Sequence, residues 1–315
     1  MGAGTSHARV PDLNKLRAFA IVAKHESYSR AAEELLISQP ALSVHVRDLE
    51  RHYGVALFER AGRGVRLTEA GEVVRGYARR ILALAEESEE AVGELRGLRA
   101  GLLRLGASTT VGEYLLPAAL GAFRRAYPRV RVSVEIANTE RVADRLLHGE
   151  LHLGLIGEPL RDPELEVEPY LEDRIILILP PNHRWAGTTI TVEDLSGEAL
   201  ITREPGSATR DVTEQALAAA GARMEVEMEL GGTEAVKGAV AAGLGVAFVS
   251  ASTVRQELAS IRLSNALVRG LDIRRQFQLA RRRGRRLSAA EKAFVLLLRR
   301  ESTRSSRDET GKIGC

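Results

Sequence analysis

Residues 69–98 form a proline-free stretch with a helical hydrophobic stripe, and this stretch restricts most strongly what the 315-residue chain can become. Val73, Val74, Tyr77, Ile81, Leu84, Ala85, Val92 and Leu95 recur at close to heptad spacing, and Thr68 is placed to cap the first turn. A helix of that length reaches ~45 Å, more than a compact domain needs to cross its own core. The stripe predicts a linker that also packs against a second copy, with folded bodies before and after it.

Ahead of the linker, Leu13, Leu16, Phe19, Ala20, Val22 and Ala23 follow helical spacing. A second helix is expected over 29–36 with Ser29 as its cap. A third starts at Ser38-Gln39-Pro40, runs to His52 and ends at Gly54. It sets Leu42, Val46 and Leu49 on one face. Strands at 57–60 and 65–67 enclose Ala61-Gly62-Arg63-Gly64, a hairpin wing with a basic tip. Three short helices with a tight turn between the last two, then a wing, predict a helix-turn-helix that grips double-stranded DNA.

After Arg99-Ala100-Gly101 the pattern changes to alternating strands and helices. Strands are expected at 102–106, 130–136, 153–157, 174–179, 199–202, 225–230, 245–249 and 277–281. Helices are expected at 115–126, 141–148, 210–220 and 233–242. Such alternation predicts a mixed, mostly parallel sheet with helices on both faces. About 200 residues then divide into two lobes around a cleft.

Charge separates the same regions. Residues 1–70 hold ten cationic against eight anionic side chains, 100–268 sixteen against twenty-three, and 269–300 eleven against two. A chain with an acidic body does not coat nucleic acid along its length, so DNA contacts must be local. The one cysteine, Cys315, excludes an internal disulfide and a cysteine-based metal cluster, which fits a reducing cytoplasm. The stretch 239–252 is too short and too rich in Gly and Ala to span a membrane, and the first fifteen residues lack the apolar core of a secretory signal.

The run AAEELLISQPALSVHVRDLERHYGVALFER, Ala31 to Arg60, with LTEAG at Leu67 to Gly71, resembles the N-terminal domain of LysR-type transcriptional regulators. The matching positions include Ala31, Ala32, Leu35, Ser38, Gln39, Pro40, Ala41, Ser43, Leu49, Glu50, Gly54, Leu57, Phe58, Arg60, Thr68 and Gly71. The resemblance covers nearly all of residues 11–300. It implies an N-terminal all-α winged helix-turn-helix, a long linker helix, then an α/β two-lobed periplasmic-binding-protein-like effector domain. It further implies promoter DNA and a small effector as partners, assembly as a homodimer or homotetramer, contact with RNA polymerase, and no cofactor. The expected domains are a disordered 1–10, a winged helix-turn-helix over 11–68, a linker over 69–99 and an effector-binding domain over 100–300. Lobe I is assigned 100–171 and 266–300, lobe II 172–265, and 301–315 a disordered tail.

The DNA-facing candidates are Ser38, Gln39, Pro40, Ser43, His45 and Arg47 on the third helix, with Arg63 and Arg66 on the wing. Short polar groups at a helix N-terminus meet phosphates and base edges, and a basic wing tip enters the minor groove. Ser38 is also read as a plain helix cap, and His45 as a solvated bystander.

In the rear domain, hydroxyls cluster where strands run into helices: Ser108, Thr109 and Thr110, Asn138 and Thr139, Gly206, Ser207 and Thr209, and Thr233. Ligands in open α/β sheets lie beyond the carboxyl ends of strands, and free N–H groups at helix starts favour anions. These residues are the candidate site for a small anionic effector; taken singly, each also reads as an ordinary cap. The segments 106–117 and 136–156 look most like regulators of carbon-fixation operons or sulfur assimilation, although REPGSATR carries Ala208 where those relatives usually have Gly. A regulator of the same fold that ignores ligands is the alternative. The basic run Arg281 to Arg286 reads as a solvated strand exit. His148 and His152 need not share a face, so a metal role is not assigned. No catalytic spacing is visible, and the chain is read as a non-enzyme.

Overall fold

The protein is described by a computed structural model over residues 10–62, 64–95, 101–157 and 162–310. Arg63, the end of the expected linker, the first nine residues and 311–315 lie outside the described residues. The fold divides into two compact units, one built mainly on the chain up to Leu95 and the other mainly on the chain beyond it.

In the first unit, α1 (Leu13–His25) is capped by Asp12, whose carboxylate accepts from the Asn14 N–H at 2.7 Å. Helix α2 (Tyr28–Leu35) starts one residue earlier than expected because Ser27, not Ser29, sits in extended backbone and accepts from the Arg30 N–H. Helix α3 (Gln39–Tyr53) carries Pro40 in its first turn and stops at Gly54. Leu16, Phe19, Val22, Leu42, Val46 and Leu49 are all buried, and each such burial contributes about 1.5–3 kcal/mol. Strands β1 (Phe58–Ala61) and β2 (Gly64–Leu67) pair antiparallel as the wing. Helix α4 (Glu69–Leu95) begins at Thr68, whose hydroxyl accepts from the Gly71 N–H at 3.0 Å. A Cβ at Gly71 would lie 2.1 Å from the Leu57 carbonyl oxygen, so glycine is required where α4 meets the wing. Along α4, Val74 and Ala78 are buried, while Val73, Tyr77, Leu84 and Val92 are 50–61% exposed.

The second unit opens with β3 (Leu102–Ser108), a π-helical turn over Val111–Leu115, and α5 (Leu116–Ala126). Next come β4 (Arg131–Ala137), α6 (Thr139–Leu147) and β5 (Leu153–Gly157), and β3 pairs parallel with both strands. The chain then crosses on one long strand, β6 (Leu165–Leu179). Lobe II continues through β7 (Thr189–Ile190), β8 (Ala199–Arg203), α7 (Ala208–Ala219), β9 (Glu225–Leu230), α8 (Thr233–Ala241), β10 (Ala247–Ser250), α9 (Arg255–Ala259) and β11 (Ser264–Val268). Strand β12 (Ile273–Arg282) returns, and α10 (Ala289–Thr310) closes the chain. The main sheet runs β4-β3-β5-β12-β6-β11-β7.

Several expectations change here. The sheet is mixed rather than mostly parallel, because β12 pairs antiparallel with both β5 and β6, and β10 and β11 pair antiparallel with β6. Strand β6 begins at Leu165, nine residues before the expected start. It carries Glu166, Glu168 and Glu172, which pair with Arg281, Arg299 and Arg274, and its register shifts at Tyr170; both mask the strand pattern. The return crossing lies near Gln276, not residue 265. Ala266 and Ile273 pack into the lobe II core with Leu195 and Leu200, whereas Phe277 and Leu279 join the lobe I core with Leu103 and Leu105. The last helix reaches Thr310, so residues 301–310 continue it instead of starting the tail.

Three arginines of the basic run are engaged within the fold, while Arg286 stands exposed. Arg281 pairs with Glu166, Arg283 donates to the Pro163 carbonyl at 2.7 Å, and Arg285 is buried on Glu291 at 2.8 Å. His152 shares that carboxylate, Nδ1 to Oε1 at 2.9 Å. Burial pushes the Glu291 carboxyl up, but the hydrogen bonds from His152 and Arg285 outweigh it and hold the group at about 2. Among the described residues no group of three or more His, Cys, Asp or Glu is arranged for a metal ion, and no helix is long and apolar enough to cross a membrane.

Candidate effector cleft and DNA-reading surface

On α3 the buried stripe Leu42, Val46 and Leu49 leaves the opposite face in solvent. Ser38, Gln39, Pro40 and Arg47 are exposed, Ser43 and His45 are half-buried, and Arg66 is exposed on β2. Ser38 caps α3 through the Ala41 N–H at 3.4 Å, so the plain-cap reading of its hydroxyl holds in this state. Arg47 folds back to donate to the Ser43 carbonyl at 3.2 Å, and Arg66 donates to Glu59 at 2.7 Å. His45 keeps a buried Nδ1 with no hydrogen-bond partner. Sequence reading overlooks Val44, 47% exposed; at 100° per residue it lies about 200° from Leu42, in the middle of the outer face.

The cleft forms where three chain reversals converge: β3 into the π-helical turn, β4 into α6, and β8 into α7. It encloses about 210 Å³ of space including its open mouth, lined by Ser108, Thr109, Thr110, Asn138, Thr139, Arg203, Ser207, Ala208, Thr209 and Arg275. Helix starts favour negative charge nearby, although at α6 the Arg141 N–H is already taken by Asn138 Oδ1. Two observations argue against hydroxyls that merely cap. Thr110 and Ser207 stand at helix starts without making a capping hydrogen bond. Ser108 Oγ is buried with no partner at all, which costs about 1–3 kcal/mol unless something else satisfies it.

Two guanidinium groups complete the lining. Arg203 donates through Nη2 to Thr109 Oγ1 at 3.3 Å and through Nη1 to Thr233 Oγ1 at 2.9 Å. Its Nε and Nη2 also hold Glu204, both at 2.8 Å. Burial pushes the Glu204 carboxyl up, but the Arg203 hydrogen bonds and charge win and leave it below its ordinary value. Arg275 donates through Nε to Asp173 at 2.8 Å and through Nη1 to Thr209 Oγ1 at 2.9 Å, with its guanidinium 4.8 Å above the Phe277 ring.

Of the nine residues singled out from sequence, seven line the cleft. Thr233 lies behind Arg203 and positions it. Gly206 lies at the seam between the lobes: its φ is +78°, and a Cβ there would come 2.5 Å from Glu140 Oε2. Asn138 spans the same seam, donating to the Pro205 carbonyl at 3.1 Å while capping α6. Across the cleft, Tyr114 donates to Glu234, and the Lys237 ammonium lies 5.1 Å from the Tyr114 ring centre.

Comparison with known proteins agrees with both halves. The model of the LysR substrate binding domain matches residues 96–303, and that of the bacterial regulatory helix-turn-helix protein, lysR family, matches residues 13–72. The chain belongs to the LysR family. It is 39% identical to the RuBisCO operon transcriptional regulator of Allochromatium vinosum over 93% of this chain and 97% of that one. The Synechocystis CcmR regulatory domain in complex with 2-PG superposes with TM-score 0.61 at 32% identity, covering 64% of this chain and 97% of the other. Full-length CbnR complexed with its target DNA gives TM-score 0.66 at 26% identity over 92% and 99% of the two chains.

As a LysR-type regulator the chain combines a DNA-binding head with an effector-binding domain. What sequence reading misses in that domain is its charge. In the sequence Arg203 stands only as the first letter of a loop motif, and Arg275 within an unassigned approach to a strand. A signal exists for Arg203, since it opens the loop that leads, through Glu204 and Pro205, to the Gly206-Ser207 helix start. For Arg275 the signal appears only once β12 is known to begin at Ile273 and to pair Arg275 with Asp173.

Proposed function

We propose that this protein regulates transcription of a carbon-fixation operon in response to a small phosphorylated or carboxylated anion held between its lobes. The observation that carries this reading is the pairing of Ser108, buried without a hydrogen-bond partner, with Arg203 and Arg275 at the meeting point of three helix starts. That set offers charge, hydroxyl donors and backbone N–H groups in a space suited to a compact metabolite. The relatives support the same choice: one is named for the RuBisCO operon, and another is solved with 2-phosphoglycolate.

On the DNA side, Gln39, Pro40, Ser43 and Arg47 enter the major groove while Arg66 steadies the wing on the phosphate backbone, with Arg63 at its tip. The half-exposed stripe Val73, Tyr77, Leu84 and Val92 on α4 is covered by a second copy, and dimers pair into a homotetramer. The protein works in the cytoplasm, and its output is a changed spacing of the DNA-binding heads that RNA polymerase senses.

The test is calorimetric titration of the full chain with 2-phosphoglycolate, combined with a mobility shift on the DNA upstream of its own gene. Binding that changes the DNA complex supports the reading. DNA binding that ignores 2-phosphoglycolate, sugar phosphates and sulfate alike favours a ligand-independent regulator.

A further inference from the structure

Each cleft arginine arrives with a carboxylate, and the two carboxylates are held in different ways. Asp173 is 6% exposed and accepts from Arg275 on one oxygen and from the Ser250 hydroxyl on the other, at 2.6 Å. It is locked inside the β6–β12 ladder. Glu204 has a side chain 27% exposed and holds Arg203 side-on through Nε and Nη2, with one further contact from the Gly232 N–H at 3.3 Å. With Thr109 and Thr233, these contacts engage four of the five guanidinium N–H groups of Arg203. An anion entering the cleft therefore meets one arginine that is permanently neutralised and another whose neutralising partner borders solvent.

We propose that Glu204 is an exchangeable counter-ion that competes with the effector for Arg203 and so sets the charge an effector must carry. This rests on the reading of the cleft as the effector site. The exchange swaps one bidentate arginine contact for another, so a monocarboxylate replaces like with like and gains little. A phosphate dianion brings twice the charge to the same distance and gains the difference. Glu204 then turns to water, which its exposure permits, and Asp173 stays in place and keeps Arg275 as a fixed anchor. The site is thereby closed to abundant singly charged anions without any steric filter.

The test uses full-length protein and Glu204→Gln, which preserves shape and removes the competing charge. Each is titrated with 2-phosphoglycolate, glycolate and inorganic sulfate, and unfolding midpoint and DNA affinity verify that the variant is folded. The expected result is 2-phosphoglycolate affinity raised about tenfold in E204Q, with glycolate binding appearing where the wild type shows none. Binding that appears only in E204Q supports the proposal equally, with Glu204 then the dominant competitor. If the wild type binds 2-phosphoglycolate and E204Q binds it equally or more weakly, Glu204 merely orients Arg203 and the proposal fails while the effector site stands. If neither protein binds any of the three anions, both fall.

Discussion

The outer face of α3 and the inter-lobe cleft are both made of small polar side chains and arginines, yet they relate to the fold in opposite ways. On α3 the working groups project from a helix whose opposite face holds the core, so Gln39, Pro40 and Arg47 stand in solvent, outside the core. In the cleft the same residue types are buried. Arg275, Asp173 and Ser250 form one internal network, and Arg203, Thr109 and Thr233 form another that spans the lobes. A surface that meets a polymer can separate recognition from folding. A pocket that takes a small charged ligand out of water must draw its groups from the interior, and there each has two tasks.

The largest effect that can break this comparison is Arg275→Met. It leaves Asp173 charged and buried with only Ser250 against it, and should cost about 3–5 kcal/mol of effector-domain stability as well as 2-phosphoglycolate binding. The single tryptophan, Trp185, lies in the lobe II core and reports that loss by fluorescence during denaturant unfolding. A shift below about 1 kcal/mol would mean that the cleft is not structural in this sense.

Acid should separate the two regions next. Glu291 titrates at about 2 in the fold, below the ordinary glutamate value. Its contribution is therefore complete above about pH 4.5 and disappears as pH falls towards 2, amounting to roughly 3 kcal/mol. Among the described residues the head buries no charged side chain, so Trp185 fluorescence should fail at a higher pH than α-helical signal from the head. Glu291→Gln should flatten that dependence; an unchanged acid profile would place the lability elsewhere.

Arg47→Ala sharpens the contrast from the other side. DNA affinity measured by anisotropy should fall, the salt slope should shrink by about one, and the unfolding midpoint should stay within about 0.5 kcal/mol of wild type. Ser108→Ala is the smallest change and the exception within the cleft. Its hydroxyl has no structural partner to lose, so ligand-free stability should hold or rise by up to about 1 kcal/mol while 2-phosphoglycolate binding weakens about tenfold in a thermal-shift series. A clear loss of ligand-free stability would return Ser108 to the structural network.

The same contrast explains how much can be read in advance. The head is legible because its signals are local: Leu42, Val46 and Leu49 recur within one helix, Gly54 stops it, and Ser38-Gln39-Pro40 starts it. Hydroxyls of the cleft are legible for the same reason, since strand-to-helix junctions are short-range features of the chain. Its arginines are not. Arg275 enters the cleft because β12 pairs with β6 about a hundred residues earlier, and no local pattern records that register. The long crossing strand escapes sequence reading because it carries glutamates whose partners come from β12 and α10, and because its register shifts at Tyr170. The seam glycine, Gly206, stands out for its motif, and only the packing against Glu140 shows why a side chain is excluded there.

Lobe II is an insertion: the chain leaves lobe I on β6 and re-enters it on β12, and the lobe I core then waits for Phe294, Val295 and Leu298 of α10. This fixes an order of synthesis. As the protein emerges from the ribosome, the head and then lobe II have all their core residues before lobe I has its last helix, although lobe I began first. A message cut short near codon 285 would thus encode an intact DNA-reading face joined to an effector domain that never closes. Such a product would keep every core residue of the head while the lobe I core lacked Phe294, Val295 and Leu298.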